Sequence, residues 1–143
     1  MKTKRKPVVA ILDEDSDDRL LLKQAFEQCR QDIELHAFEK RADLIEHLNR
    51  GKGGRGKNGS TDLVILGLHH PWESTFDLIS TIKSDPGLKH IPIIVFVGLV
   101  PDPLIQRFYD LGVNTVIARP VLWDELVSVL KKTCDYWFGP LKM

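Results

Sequence analysis

The chain has 143 residues, with 20 Lys and Arg balanced by 20 Asp and Glu, so no net charge draws it towards nucleic acid or a membrane surface. Hydrophobic residues make up 43%, enough for one core and too many for a disordered chain. No apolar run approaches the roughly 18 residues of a membrane span, and Lys2, Lys4, Arg5 and Lys6 lead only into Val8 to Leu12, too short for a secretory leader, so a cytoplasmic location is expected.

Val8-Val9-Ala10-Ile11-Leu12 reads as a buried strand running into Asp13, Glu14, Asp15, Asp17 and Asp18. Asp15 or Ser16 is placed to cap a helix that extends to about Arg30, with Leu22, Ala25, Phe26 and Cys29 on one face. Ile33 to Phe38 alternates as a half-buried edge strand, Ile33, Leu35 and Ala37 inward, and Arg41 to Arg50 is a short helix with Leu44, Ile45 and Leu48 inward. A basic, glycine-rich loop over 51–59 precedes Asp62-Leu63-Val64-Ile65-Leu66-Gly67. There, branched apolar residues behind a lone acid mark a central strand buried on both faces. Ser74 is expected to cap a third helix through Ser84, with Leu78, Ile79 and Ile82 inward and Asp85-Pro86-Gly87 as its stop. Ile93 to Val97 is a fourth strand; Asp102 as cap and Pro103 open a helix ending at Gly112. Thr115 to Ala118 is a fifth strand closed by Arg119-Pro120. The last helix, Trp123 to Phe138, carries Leu126, Val127, Leu130, Cys134 and Trp137 at helical spacing.

Strands alternating with helices predict an α/β fold: a five-stranded parallel sheet, doubly wound, flavodoxin-like, in the order 2-1-3-4-5, as one domain over 1–143 with no output domain. In that order the ends of strands 1 and 3 flank the switch point. Asp13, Glu14 and Gly67 meet there, with Val97 and Arg119 beside them.

Three other features have plainer readings. Gly51-Lys52-Gly53-Gly54-Arg55-Gly56-Lys57-Asn58 nearly matches a phosphate loop, but Asn58 stands where a hydroxyl belongs and the loop follows a helix and opens a strand, the reverse of the order that works. It reads as a flexible connection, leaving polyanion or nucleotide binding as a secondary possibility that loop deletion and salt titration would test. His69-His70 reads as a polar loop, because adjacent residues seldom point at one ion. Cys29 and Cys134 read as core fillers, not a disulfide framework. Trp123, Tyr136, Trp137 and Phe138 wrap around the last helix, so one sheet face cannot hide all of them, and the remainder suits a partner or homodimer interface.

The chain resembles a response-regulator receiver of the chemotaxis type, and within that family the phytochrome-associated single-domain regulators. The resemblance rests on Asp13-Glu14, on Asp62 to Leu66, on Pro71 four residues beyond Gly67, on Ile91-Pro92-Ile93-Ile94-Val95 and on Arg119-Pro120. Ser16-Asp17-Asp18-Arg19-Leu20-Leu21-Leu22 and Tyr136-Trp137 carry the closer likeness. It implies a signalling role, not an enzyme's, with a histidine kinase or another signalling protein as partner. It also implies an aspartate phosphoacceptor at the position of Gly67, a hydroxyl at Val97, a swinging aromatic at Val116, a lysine at Arg119, and Mg2+ held by Asp13 and Glu14. With those positions changed, the expectation is a degenerate receiver that binds Mg2+ weakly or not at all, with Arg119 pairing with Asp13 and Glu14 and the protein acting through contacts alone. The competing expectation is that another carboxylate accepts the phosphoryl group.

Overall fold

The computed structural model describes residues 5–52, 60–69 and 72–140. Ten elements alternate: β1 (Val8–Leu12), α1 (Ser16–Cys29), β2 (Glu34–Phe38), α2 (Arg41–Arg50), β3 (Leu63–Gly67), α3 (Glu73–Ser84), β4 (Ile93–Val97), α4 (Asp102–Asp110), β5 (Thr115–Ala118) and α5 (Trp123–Phe138). The sheet order is β2-β1-β3-β4-β5, every pair parallel, as the element order predicted.

Side chains of a strand alternate between faces, and the buried residues sort accordingly. Val9, Ile11, Leu63, Ile65, Ile94 and Phe96 meet Leu22, Phe26, Leu126 and Leu130 of α1 and α5. Ala10, Leu12, Val64, Leu66, Ile93 and Val95 meet Leu44, Leu48, Ile79, Ile82 and Phe108 of α2, α3 and α4. Each such Val, Leu, Ile or Phe side chain contributes about 1.5–3 kcal/mol on burial. Register then sets the functional end: Leu12 lies opposite Leu66, Gly67 opposite Phe96, and Val97 opposite Ala118. The carboxyl ends of β1, β3, β4 and β5 therefore finish side by side.

Several local expectations are corrected. The third helix starts at Glu73, with Trp72 in the cap position and Ser74 already inside the first turn, and Phe76 is buried as well as Leu78, Ile79 and Ile82. The fourth begins at Asp102 with Pro101 as its cap residue; Gly112, at φ 102°, follows the C-cap Leu111, where a left-handed residue stops a helix. Along β2 the alternation breaks: Ala37 is exposed and His36 half-buried. Ile33 and Leu35 still pack against the α1 and α5 cluster, while Phe38 packs against the other. An edge strand has one neighbour and a thinner helix cover, so its pattern is set less strictly. Of the glycine-rich loop over 51–59, Gly51 is the C-cap residue of α2 and residues 53–59 lie outside those described, as do His70 and Pro71.

Candidate functional site

Asp13 is the first residue past β1, and its N–H donates to the Phe38 carbonyl at 3.1 Å, continuing the ladder with β2. Strand parity sends its side chain to the face of Val9 and Ile11, the α1 side. There it is fully buried. A buried carboxylate requires compensating charge or hydrogen bonds, and three groups supply them. The Asp15 N–H donates to Oδ1 at 3.0 Å, His69 Nε2 lies 2.7 Å from the same oxygen, and Arg119 Nη2 donates to Oδ2 at 3.3 Å. Asp18, in the first turn of α1, stands at the rim with Oδ2 3.6 Å from His69 and 3.8 Å from Arg119. Asp15 caps the helix through the Asp18 N–H at 2.9 Å, and that bond foremost holds the Asp15 carboxyl below the usual range.

Gly67 makes this arrangement sterically feasible. A Cβ placed on it would fall on Asp13 Oδ2, 2.6 Å from Asp13 Cγ and 2.9 Å from Arg119 Nη2. The Asp13 carboxylate and the Arg119 guanidinium occupy the volume that a side chain at the end of β3 would need.

Of the residues singled out from the sequence, Asp13, Gly67 and Arg119 converge here, and Val97 is buried beside them at the end of β4. Glu14 does not converge. One residue along the chain it must point to the opposite face, where its exposed carboxylate lies 3.8 Å from Arg41. The expected Arg119 pair is thus made with Asp13 and Asp18 and not with Glu14. Val116 packs partly buried against the α2 to α4 cluster, and its N–H donates to the Tyr109 hydroxyl at 3.0 Å.

His69 and Asp18 were missed as site residues. The signal for His69 was parity, since it stands two residues past Gly67 on the same face; for Asp18 it was the helix turn that returns the chain over Asp13. Asp13, Asp18 and His69 each offer a ligand atom, all within 4.8 Å of one another. That mixed nitrogen and oxygen set differs from the all-oxygen set that magnesium takes, and a guanidinium already sits on it. A cavity of about 290 Å³ opens on the other side of Gly67, lined by Glu14, Arg41, His69, Ser74 and Thr75 among others.

The aromatic face of α5 is smaller than expected. Trp137 and Phe138 pack against the α1 and α5 cluster, whereas Tyr136 is 78% exposed and Trp123, 36% exposed, donates to Gln28 Oε1 at 3.2 Å. Among the described residues no helix is long and apolar enough to cross a membrane.

A five-stranded parallel sheet in this order, doubly wound with five helices, is the fold of the response-regulator receivers. Chemotaxis-type and phytochrome-associated regulators are this chain's homologues. The chain is 25% identical to the "Probable methanogenesis regulatory protein FilR2" of Methanothrix harundinacea over 93% of this chain and 85% of that protein. It is 24% identical to the response regulator Rcp1 of Synechocystis over 92% and 89%. The crystal structure of the phosphorylated cyanobacterial phytochrome response regulator RcpA superposes with a TM-score of 0.77 at 23% identity, covering 96% and 97% of the two chains. No protein-family model matches the sequence.

Proposed function

We propose that this receiver has given up the phosphoryl switch and acts in the cytoplasm as a binding module of fixed shape, through contacts with a histidine kinase or another signalling protein. Gly67 stands where the resemblance puts the phosphoacceptor, and it offers no carboxylate. The observation that carries the reading is that the space above Gly67 is filled by the Asp13 carboxylate, held by Arg119 and His69. A phosphoryl group and its magnesium ion bring charge that the protein must balance; here the guanidinium is built in as a permanent counter-ion. Both Asp13 oxygens are engaged and Glu14 faces away, so magnesium is bound weakly or not at all. Val97 and Val116 provide neither the hydroxyl nor the aromatic that would report a phosphoryl group, and the surface shape stays constant.

Intact mass after incubation with a small-molecule phosphodonor and magnesium tests this. The wild-type chain is expected to remain unmodified and its partner binding unchanged by the donor. A stoichiometric adduct on wild type would show that another carboxylate accepts the group and would overturn the reading. Gly67→Asp, measured alongside, is labelled only if Asp13 and Arg119 yield the volume they fill.

A further inference from the structure

The cavity of about 290 Å³ beside Gly67 lies between the carboxyl ends of β1 and β3. That is where the strand order reverses and where open α/β sheets take their ligands. Its floor is Leu12, Leu66 and Leu78, which belong to the apolar cluster under α2, α3 and α4, whereas the Asp13 carboxylate points to the α1 side. None of the contacts that bury Asp13 fills this space.

Two opposite charges stand at the cavity wall with bonding capacity to spare. Arg41, the first residue of α2, donates Nη1 to the Ser74 carbonyl at 3.1 Å, which leaves most of its five N–H donors for other acceptors. Glu14 accepts no hydrogen bond among the described residues, and its Oε1 lies 3.8 Å from Arg41 Nη2, beyond hydrogen-bond reach. Both side chains are open to solvent, Arg41 38% and Glu14 63% exposed, so this wall can admit a ligand. Two helices also begin here. Neither α2 nor α3 has a side-chain cap, and their first turns line the cavity through Arg41, Ser74 and Thr75. The positive ends of both helices therefore favour a carboxylate beside Arg41, while Glu14 favours a cation.

We propose that this cavity binds a small zwitterion with an aliphatic side chain, a free α-amino acid. Its carboxylate takes the Arg41 fork and the start of α3, its ammonium takes Glu14, and its side chain lies on Leu12, Leu66 and Leu78. The ligand dipole then runs antiparallel to the Arg41–Glu14 pair, and four charges alternate in sign. A lone carboxylate is repelled by Glu14 and a lone amine by Arg41, so the site selects for both charges together. The volume stands at the bottom of the roughly 300–1,000 Å³ range of ligand pockets, which suits a molecule the size of valine or leucine. The site uses neither Asp13 nor Arg119, so it stands whether or not another carboxylate accepts a phosphoryl group.

The test titrates L-leucine into the isotope-labelled full-length chain and follows the amide resonances. Isocaproate, which lacks the ammonium, and isoamylamine, which lacks the carboxylate, are titrated alongside. The expected result is saturable shifts at Glu14, Arg41, Ser74 and Thr75, with a dissociation constant of about 1 mM or below for leucine. Each one-charge probe binds at least about tenfold more weakly. Glu14→Gln and Arg41→Gln each weaken leucine by a similar factor, and their own spectra show whether they are folded. Isocaproate binds Glu14→Gln more tightly than wild type, because the repelling carboxylate is gone. No saturable shift with leucine, valine or alanine at about 10 mM, equal binding of leucine and isocaproate, or leucine binding indifferent to both variants would each overturn the proposal.

Discussion

Asp13 and Arg30 are the buried charged residues among those described, one at each end of the sheet, and they are solved differently. Arg30 closes a joint. Its guanidinium, 2% exposed, donates to Asp32 through Nε and Nη2 at 2.7 Å each, to Asp135 at 3.2 Å and to the Gly139 carbonyl at 2.8 Å. All of those acceptors belong to the turn after α1 or the end of α5, so the cluster pins two helix ends together. Asp13 instead draws its partners from three separate places: the loop after β1, the loop after β3, and the end of β5. The same physics of pairing a buried ion makes a fastener at one end. At the other it makes a filled pocket whose counter-ion arrives from a distant strand.

The largest expected effect lies at the joint. Arg30→Ala removes a buried fork and should cost about 3 kcal/mol in denaturant unfolding. Asp32 is held below the ordinary carboxylate range chiefly by its hydrogen bond from Arg30. A depressed folded pKa means its contribution is present above the unfolded value of about 4. That contribution is lost as the pH falls through the lower folded value. The acid limb of the stability curve should therefore flatten in Arg30→Ala; an unchanged limb would show that the joint is not ionic.

At the pocket, Gly67→Ala forces Asp13 and Arg119 aside and is expected to cost about 2 kcal/mol. Gly98→Ala, where a Cβ meets nothing within 4 Å, should stay within about 0.5 kcal/mol. Equal costs at the two glycines would mean that Asp13 does not fill the space above Gly67. Arg119→Ala should cost about 1.5 kcal/mol by removing a charge-assisted bond, with Arg119→Lys recovering part of it and His69 retaining the rest. If neither stability nor partner binding changes, the built-in counter-ion is wrong.

The smallest effect comes from a group with neither solution. His47 packs its ring 5.1 Å from Phe38 and 4.6 Å from His36, and its Nε2 is buried without a partner. Burial foremost, then the neighbouring His36 and Arg50, lowers its pKa. A lowered histidine leaves the unfolded chain binding more protons just below pH about 6.5, so stability falls as the pH drops through that value. His47→Phe should shrink the fall between pH 7.5 and 5.5, read from thermal midpoints at matched ionic strength.

How far the sequence reached depended on the kind of residue. The apolar runs Val8–Leu12, Leu63–Gly67 and Ile93–Val97 were legible because a strand covered on both faces must be apolar throughout, and the observed spans agree. The cap of the third helix was not: Ser74 and Trp72 lie two residues apart, and the approach of the chain to α3 decided between them. The Asp13 to Asp18 run looked uniform along the chain, yet it divides into a buried ion, an exposed one on Arg41, a helix cap and a pocket rim.

By itself the sequence determined the order of elements, the parallel sheet, and the meeting of Asp13, Gly67 and Arg119 at its carboxyl end, because hydrophobic period and crossover handedness leave few topologies. Only the tertiary structure decided which groups pair with Asp13, that Glu14 turns away, and that Arg30 reaches Asp135 and the Gly139 carbonyl. Those contacts join residues far apart in the chain through side-chain directions set by packing, and periodicity along one segment carries no information about the segment lying opposite.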